Sequence, residues 1–424
     1  MSDRPRPQDV RMKGFANRST VQQAWDWLDN AIESMPPSVG TESIPIVEAA
    51  GRVLAADVVS RVDVPMFDRA MMDGYALHAD DTAGASTYNR LPLSVIGVAL
   101  PNSPFDGVVS RGQAVRIMTG APVPDGVDAV LPVEQTESDA ANPDTDTVEV
   151  LGELPPQKHI GVRGEDIQSG SGVLSAGRRL RPQDIGLLSS IGFGTVDVIR
   201  PIRVRVVVTG NELLPRGSVP SGFQIVDANG PMLSALAQRD GSVVVDDSII
   251  SDNPDAISKA MHDDVDVVLV SGGSSVGQED HAPRLLAEQG DLAIHGVAMR
   301  PSSPSGMGRL GDRFVFLLPG NPVSCLCSYD FFAGRAIRRL AGLQPADSDW
   351  PYVRVELPLR RKLVSQVGRV DYARVAVVDG QVEPIAISGA SMLSSTTRAD
   401  GFVVVPADRE GYAPETIVEV FLYG

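Results

Sequence analysis

The chain has 424 residues, 43 % of them apolar, with 41 Gly, 32 Pro, two Cys and a net charge of −17. That length predicts about two to four domains with real cores, and the acidic balance excludes general nucleic-acid binding. Cys325 and Cys327 are too few for a disulfide scaffold or a Cys-ligated zinc protein, and no apolar run is long enough for a transmembrane helix or a signal-peptide core, so no membrane contact and a cytoplasmic location are expected.

Residues 19–59 open with a helix. Ser19 or Thr20 can cap a run whose apolar positions Val21, Ala24, Trp25, Leu28 and Ile32 fall at helical spacing. A second short element over 44–53 follows the break at Pro36 and Pro37. From about 65 to 155 the texture changes. Short β-like runs at 93–98, 114–118, 129–133 and 147–151 alternate with Gly/Pro turns, and 139–146 reads as a polar loop. This is a small β domain inserted into the first one, which returns over 164–198 with a helix around 182–191.

Residues 203–342 alternate strands with helices. Buried-strand runs at 203–208, 265–270 and 313–318, and β-like runs at 243–250 and 292–298, are interleaved with helical stretches at 231–239, 254–261, 280–289 and 322–340. Such alternation implies a three-layer α/β domain with a largely parallel sheet. After Gly342 the helical signals stop. Short strands at 352–359, 372–378, 401–406 and 417–422 predict a small closed β domain, a C-terminal β-barrel. The expected division is 1–62 with 156–200, then 63–155, 201–345 and 346–424.

Open α/β sheets bind ligands at the carboxyl ends of their strands, and three Gly-containing turns fall there. The first is Thr209-Gly210-Asn211-Glu212. The second is Ser271-Gly272-Gly273-Ser274-Ser275, whose N–H groups and hydroxyls suit a phosphate or form only a tight turn. In the third, Pro319-Gly320-Asn321-Pro322, Asn321 and Pro322 also start a helix. Glu212, Asp227, Asp252, Glu279 and Asp280 cluster at these turns. Carboxylates beside phosphate-binding loops suit Mg²⁺, although Asp252 and Asp280 are equally placed to cap helices. Arg335, Arg338 and Arg339 near the end of a helix read as favouring its dipole. In the inserted region, 67–76 and the turn at Met118-Thr119-Gly120-Ala121-Pro122 lack an amphipathic rationale, which favours function. Only four of the 37 cationic residues are Lys (Lys13, Lys158, Lys259, Lys362), so any anion site must lean on Arg, backbone N–H groups or a metal.

At these residues the sequence resembles the MoeA family of molybdopterin molybdenumtransferases and the related E domain of gephyrin. The matching strings are PMFDRAMMDGYA (65–76), MTGAPVPDGVDAVLPVE (118–134), VRGEDIQSG (162–170), TGNELLPRG (209–217), QIVDANGPML (224–233), DVVLVSGGSSVGQEDH (266–281) and FLLPGNPVSC (316–325), in family order. The resemblance implies an elongated first domain, an inserted β domain, a molybdopterin-binding α/β domain and a C-terminal β-barrel. It implies a homodimer whose active site lies between the α/β domain of one subunit and the inserted domain of the other. The implied reaction is insertion of molybdate into adenylylated molybdopterin, assisted by Mg²⁺, with loss of AMP. A molybdopterin adenylyltransferase and molybdoenzyme chaperones are the implied partners.

By the same resemblance, Asp73, Thr119, Glu212 and Asp280 are catalytic candidates, and Glu212, Asp252 and Asp280 metal ligands. Ser271, Gly272, Gly273 and Ser275 match the phosphate and pterin loop, with Pro319, Gly320, Asn321 and Pro322 as its second wall. Arg369, Gly389 and Ser391 match C-terminal turns more loosely. The chain departs from the family at Pro301-Ser302-Ser303-Pro304, where many relatives have PGKP. Ser303 there replaces a Lys, and Arg300 stands where a second Lys precedes the motif. Asn211 replaces the Asp of TGDE. Arg300 and Arg69 are the candidates to restore the missing charge. The alternatives are a non-catalytic cofactor carrier and a gephyrin-like scaffold, although the chain has no long interaction linker.

Overall fold

The computed structural model describes residues 18–34, 39–137, 147–273, 280–343, 350–386 and 389–423. Thr20 starts the first helix, Val21–Glu33: its hydroxyl accepts the Gln23 N–H at 3.1 Å while the Gln23 side chain accepts the Thr20 N–H at 2.9 Å. This reciprocal box satisfies two otherwise open donors. Val21, Ala24 and Leu28 bury against the core of 201–345, and Trp25 Nε1 donates to the Phe331 carbonyl at 2.8 Å.

Thr41–Pro45 pairs antiparallel with Thr195–Ile199. Leu54, Val58, Ile167, Leu174, Leu188 and Val198 accordingly share one cluster, so 41–62 and 164–199 pack together although far apart in sequence. Between them runs a six-stranded sheet in the order Ala129–Pro132, Gly74–Leu77, Gln113–Ile117, Leu91–Ala99, Thr147–Val150, Thr136–Glu137. The polar loop at 139–146 lies outside the described residues.

The α/β region holds a seven-stranded sheet. Its path is Ser242–Asp246, Ile202–Thr209, Val267–Ser271, Arg313–Leu318, Gly306–Leu310, Asp291–His295, with Ile249–Ile250 beside the second strand. The three central strands are parallel. Their near-continuous apolar runs reflect burial on both faces. Val206, Leu269 and Phe316 meet residues of Asn229–Arg239 and 322–340, whereas Val207, Val268 and Val270 meet Pro254–Met261 and Ala282–Gln289.

Three local expectations change. The helix over 322–340 is interrupted: Pro322–Ser328 and Gly334–Leu340 flank a π-helical turn, Tyr329–Ala333. Its Tyr329 hydroxyl donates to Asp240 Oδ2 at 3.0 Å, and Arg338 Nη1 donates to the same oxygen at 2.7 Å. Arg338 therefore serves a buried ion pair rather than the helix dipole, and Arg335 and Arg339 pair with Asp29 at 2.9 and 3.0 Å. Charge-assisted bonds at this range outweigh the weak field at a helix end. The caps also differ. Asn253, not Asp252, caps Pro254–Met261 through its side chain, and His281, not Asp280, occupies the cap position of Ala282–Gln289.

A second six-stranded sheet closes the chain, with Met299–Arg300, Val370–Val378, Gly401–Val405, Ile417–Leu422 and Val353–Pro358 in order and Gln381–Ala386 beside Val370–Val378. The short helix Ser394–Thr397 carries no sequence signal. Met299 and Arg300 pair in parallel with Val370 and Asp371. A loop of the α/β region is thereby stitched onto the edge of the C-terminal sheet.

Candidate active site

Parallel pairing places the three glycine turns side by side, because Ile202–Thr209, Val267–Ser271 and Arg313–Leu318 end at the same edge of the sheet. Gly272 sits between the other two. Its φ of +97° lies in the left-handed region, and a Cβ there would come within 2.3 Å of the Thr209 carbonyl oxygen. Its N–H points to the Leu318 carbonyl at 3.3 Å. Only glycine permits that approach. Gly320 stands close by, with 3.7 Å from its would-be Cβ to Gly272 Cα.

Asn229 ties these turns together. It is 5 % exposed, and its Nδ2 donates to Ser271 Oγ at 2.9 Å and to the Gly320 carbonyl at 2.8 Å. Asp227 holds the start of the same helix, its Oδ1 accepting the N–H groups of Asn229 and Gly230 at 2.8 and 3.0 Å. Asp227 is thus engaged in capping rather than open to a ligand. Cys325 lies 3.7 Å from Ser271 Oγ, and burial pushes its thiol up to about 12, so it packs and does not act as a thiolate. Asn321 occupies the cap position before Pro322–Ser328 without a side-chain bond to the helix.

The carboxylates surround the same edge. Glu212 Oε2 is 2.9 Å from the position of a Gly210 Cβ, and Asp280 Oδ1 is 3.9 Å from that of a Gly273 Cβ. Asp252 and Asn211 bond reciprocally: Asn211 N–H donates to Asp252 Oδ2 at 3.1 Å and Asp252 N–H to Asn211 Oδ1 at 3.4 Å. Asn211 is thereby a partner for Asp252 through its backbone N–H and its Oδ1. Ser275 lies outside the described residues. Among the described residues no three His, Cys, Asp or Glu side chains form a metal cage. Glu212, Asp252 and Asp280 are therefore not a preformed three-carboxylate site. As hard oxygen donors they fit Mg²⁺ only together with phosphate oxygens from a ligand.

Beyond the third turn opens a cavity of about 800 Å³, lined by Pro319, Asn321, Ser324, Arg300 and Ser303 and by Arg369 from the C-terminal region. Arg18 lines it as well. Ser302 has a φ of +91°, unusual for a residue with a side chain. Its hydroxyl lies 2.7 Å from Ser305 Oγ and donates to the Ser324 carbonyl at 2.8 Å, which secures the conformation. Ser303 Oγ and Arg369 Nε are buried atoms with no hydrogen-bond partner among the described residues. Arg300 is already engaged: its Nε donates to Asp371 Oδ1 at 3.0 Å and its Nη2 to Oδ2.

Asp73 and Thr119, from separate turns of the inserted sheet, bond each other. Thr119 donates both its N–H and its hydroxyl to Asp73 Oδ1, each at 2.7 Å. The hydroxyl and then the N–H hold the exposed Asp73 carboxyl below the usual carboxylate range. Among the described residues neither side chain bonds to any residue of 201–345. Arg69, on the two-residue ladder with Ile160–Gly161, is exposed. Sequence reasoning missed Asn229, Asp371 and Arg18. An Asx residue at a helix start and an Asp two residues after an Arg are too common to signal a site.

Residues 19–192 match the model of the MoeA N-terminal region (domain I and II), 205–339 that described as "Probable molybdopterin binding domain", and 356–423 that of the MoeA C-terminal region (domain IV). A molybdopterin molybdenumtransferase of Haemophilus influenzae is 32 % identical over 390 residues, covering 89 % of this chain and 93 % of its own. Molybdopterin molybdenumtransferase 2 of Mycobacterium tuberculosis is 33 % identical over 392 residues, covering 89 % and 94 %. The crystal structure of the molybdopterin biosynthesis moeA protein from Pyrococcus horikoshii OT3 superposes with a TM-score of 0.81 at 30 % identity, over 96 % of this chain and all of that one.

Proposed function

The chain belongs to the MoeA family and is a molybdopterin molybdenumtransferase of molybdenum-cofactor biosynthesis; from that premise we propose that it inserts molybdate into adenylylated molybdopterin and releases AMP. The observation that carries this reading is the junction of glycine turns and cavity. Gly272 is packed between Thr209 and Leu318, and the cavity lined by Arg18, Arg300 and Arg369 adjoins the turn at 319–321.

The division of labour follows from charge and shape. The turn at Ser271, Gly272 and Gly273, backed by Gly320 and Asn321, offers close backbone approach to a phosphate. The arginines of the cavity suit a tetrahedral oxyanion. Both reactants are anionic and the protein carries a net −17, so local guanidiniums and N–H groups, not the global field, hold them. Glu212, Asp252 and Asp280 would hold Mg²⁺ delivered with the phosphates, and the ion would supply charge neutralisation for the departing AMP. Asp73, kept ionised by Thr119, acts as an acceptor or ligand and not as a proton donor at neutral pH. Asp73 and Thr119 bond each other on the inserted sheet, and in a homodimer of the kind the family resemblance implies they would complete the site of a second copy. The fold would comprise an elongated first domain, an inserted β domain, a three-layer α/β domain and a closing β-barrel, and the setting would be cytoplasmic.

The test is release of AMP from adenylylated molybdopterin on addition of molybdate and Mg²⁺. Asp280→Ala and Asp73→Ala should each abolish release while the protein stays folded. Pterin binding without AMP release in the parent protein would instead favour a carrier.

A further inference from the structure

Asp371 is 0 % exposed, yet it is a carboxylate at the junction of two folding units. Buried charges of this kind persist only when closely paired. Arg300 grips it through Nε and Nη2, the two donors of a planar fork. Ser365 Oγ donates to Oδ2 at 2.6 Å. Arg369 Nε stands 3.6 Å from Oδ1, beyond hydrogen-bond reach, and has no other partner among the described residues. Both arginines remain 30 % exposed and both line the cavity of about 800 Å³. Asp371 thus lies behind the cavity wall and Arg300 and Arg369 in front of it.

Two consequences follow. A guanidinium on a long stem has many rotamers, and a buried bidentate partner selects one of them, so its remaining N–H groups present a fixed array to whatever enters. The charge is set as well. Arg18, Arg300 and Arg369 against the one carboxylate leave an excess of two positive charges, which matches a tetrahedral dianion.

Resting on the molybdate-inserting reading above, we propose that Asp371 is a positioning residue that locks Arg300 and aligns Arg369 for the incoming oxyanion. It does not touch the oxyanion and acts through the two guanidiniums. Ser365 in turn fixes the Asp371 carboxylate through Oδ2, the oxygen that Arg300 Nη2 also uses.

The test compares full-length Asp371→Asn, Ser365→Ala, Arg300→Ala and the Arg300→Ala/Asp371→Asn double variant with the parent. Molybdate-dependent AMP release, calorimetric molybdate binding without pterin, pterin binding by fluorescence and thermal melting are measured. Asp371→Asn should weaken molybdate in both KM and Kd by about tenfold, the loss of roughly one charge-assisted bond, with kcat and pterin affinity little changed. Ser365→Ala should weaken it by a smaller factor in the same direction. The double variant should lose less than the product of the two single losses, because most of what Asp371 does passes through Arg300 and only the alignment of Arg369 is left to lose. Unchanged or tighter molybdate binding in Asp371→Asn, or additive losses in the double variant, overturns the proposal. If Asp371→Asn does not fold, unchanged molybdate binding in Ser365→Ala overturns it. No AMP release from the parent would reject the reaction itself, whereas a normal parent with an insensitive Asp371→Asn rejects only this role.

Discussion

Thr119 places two donors, its N–H and its hydroxyl, on a single oxygen of Asp73, each at 2.7 Å. Among the described residues the second oxygen accepts no bond, so the carboxylate is oriented by one edge and open at the other. Removing the hydroxyl in Thr119→Val leaves the N–H bond as the one remaining restraint of the two. The Asp73 pKa is depressed by these bonds, so it should rise toward the ordinary carboxylate range in the variant. The acid limb of the pH–rate profile should then move to higher pH, with activity at neutral pH reduced by about tenfold through loss of orientation. Carbon-13 titration of the Asp73 carboxyl together with the pH profile measures both. An unmoved titration would show that the hydroxyl bond is not held in solution.

Gly272 and Gly320 give a graded pair. At Gly272 an added methyl meets the Thr209 carbonyl at 2.3 Å, and φ is +97°, so Gly272→Ala carries both a collision and backbone strain. At Gly320 the nearest atom is Gly272 Cα at 3.7 Å, an ordinary contact. Gly272→Ala should lower stability by about 2 kcal/mol and abolish pterin binding. Gly320→Ala should melt like the parent and lose affinity only in so far as the methyl shades the ligand. Thermal melts and pterin fluorescence separate the two.

Asn229→Ala removes both bonds that tie Ser271 and Gly320 to the helix start. The buried Ser271 hydroxyl and the part-buried Gly320 carbonyl lose their donor, a cost of about 2 kcal/mol. Pterin affinity should fall with the loosened turns, whereas molybdate binding measured alone should change far less. Equal losses in both ligands would place Asn229 in general stability rather than in the geometry of the turns.

The sequence reading was best where burial imposed periodicity. Arg313–Leu318 and Pro254–Met261 match the expected spans residue for residue, because the first is a continuous apolar run and the second has an amphipathic pattern opened by Pro254. It was weakest where a polar side chain had a distant partner. Asp252 and Asp280 sit at helix starts and read as caps, but position 252 lost to Asn253, and Asp252 instead bonds Asn211 across the turns. Arg338 looks like a residue at a helix end, yet its partner Asp240 lies 98 positions earlier in the chain. Arg300 was legible as a cation, but its attachment to Asp371 follows from a two-residue strand pairing that no local pattern announces. Chemistry-bearing turns were visible in sequence, and the contacts that orient them were not.

Asp184 provides a pH test of the first region, away from the site. It is 3 % exposed and accepts from Arg178 Nε and Nη2 at 3.0 and 2.9 Å and from the Arg181 N–H at 2.9 Å. Burial alone would raise its pKa, but the bonds from Arg178 and Arg181 prevail and hold the carboxyl far below its ordinary value. A group whose folded pKa is depressed contributes stability that is complete above its unfolded value. That contribution is lost as pH falls below about 4 toward the lower folded value. The parent should therefore lose part of its stability in this acid range, and Asp184→Asn should lose a smaller part there. At neutral pH Asp184→Asn should be less stable by about 2 kcal/mol, the size of charge-assisted bonds to a buried carboxylate. Urea melts of parent and variant between pH 3 and pH 7 measure the difference, which should shrink as the pH drops; a gap that stays constant would mean that Asp184 is not titrating against the two arginines.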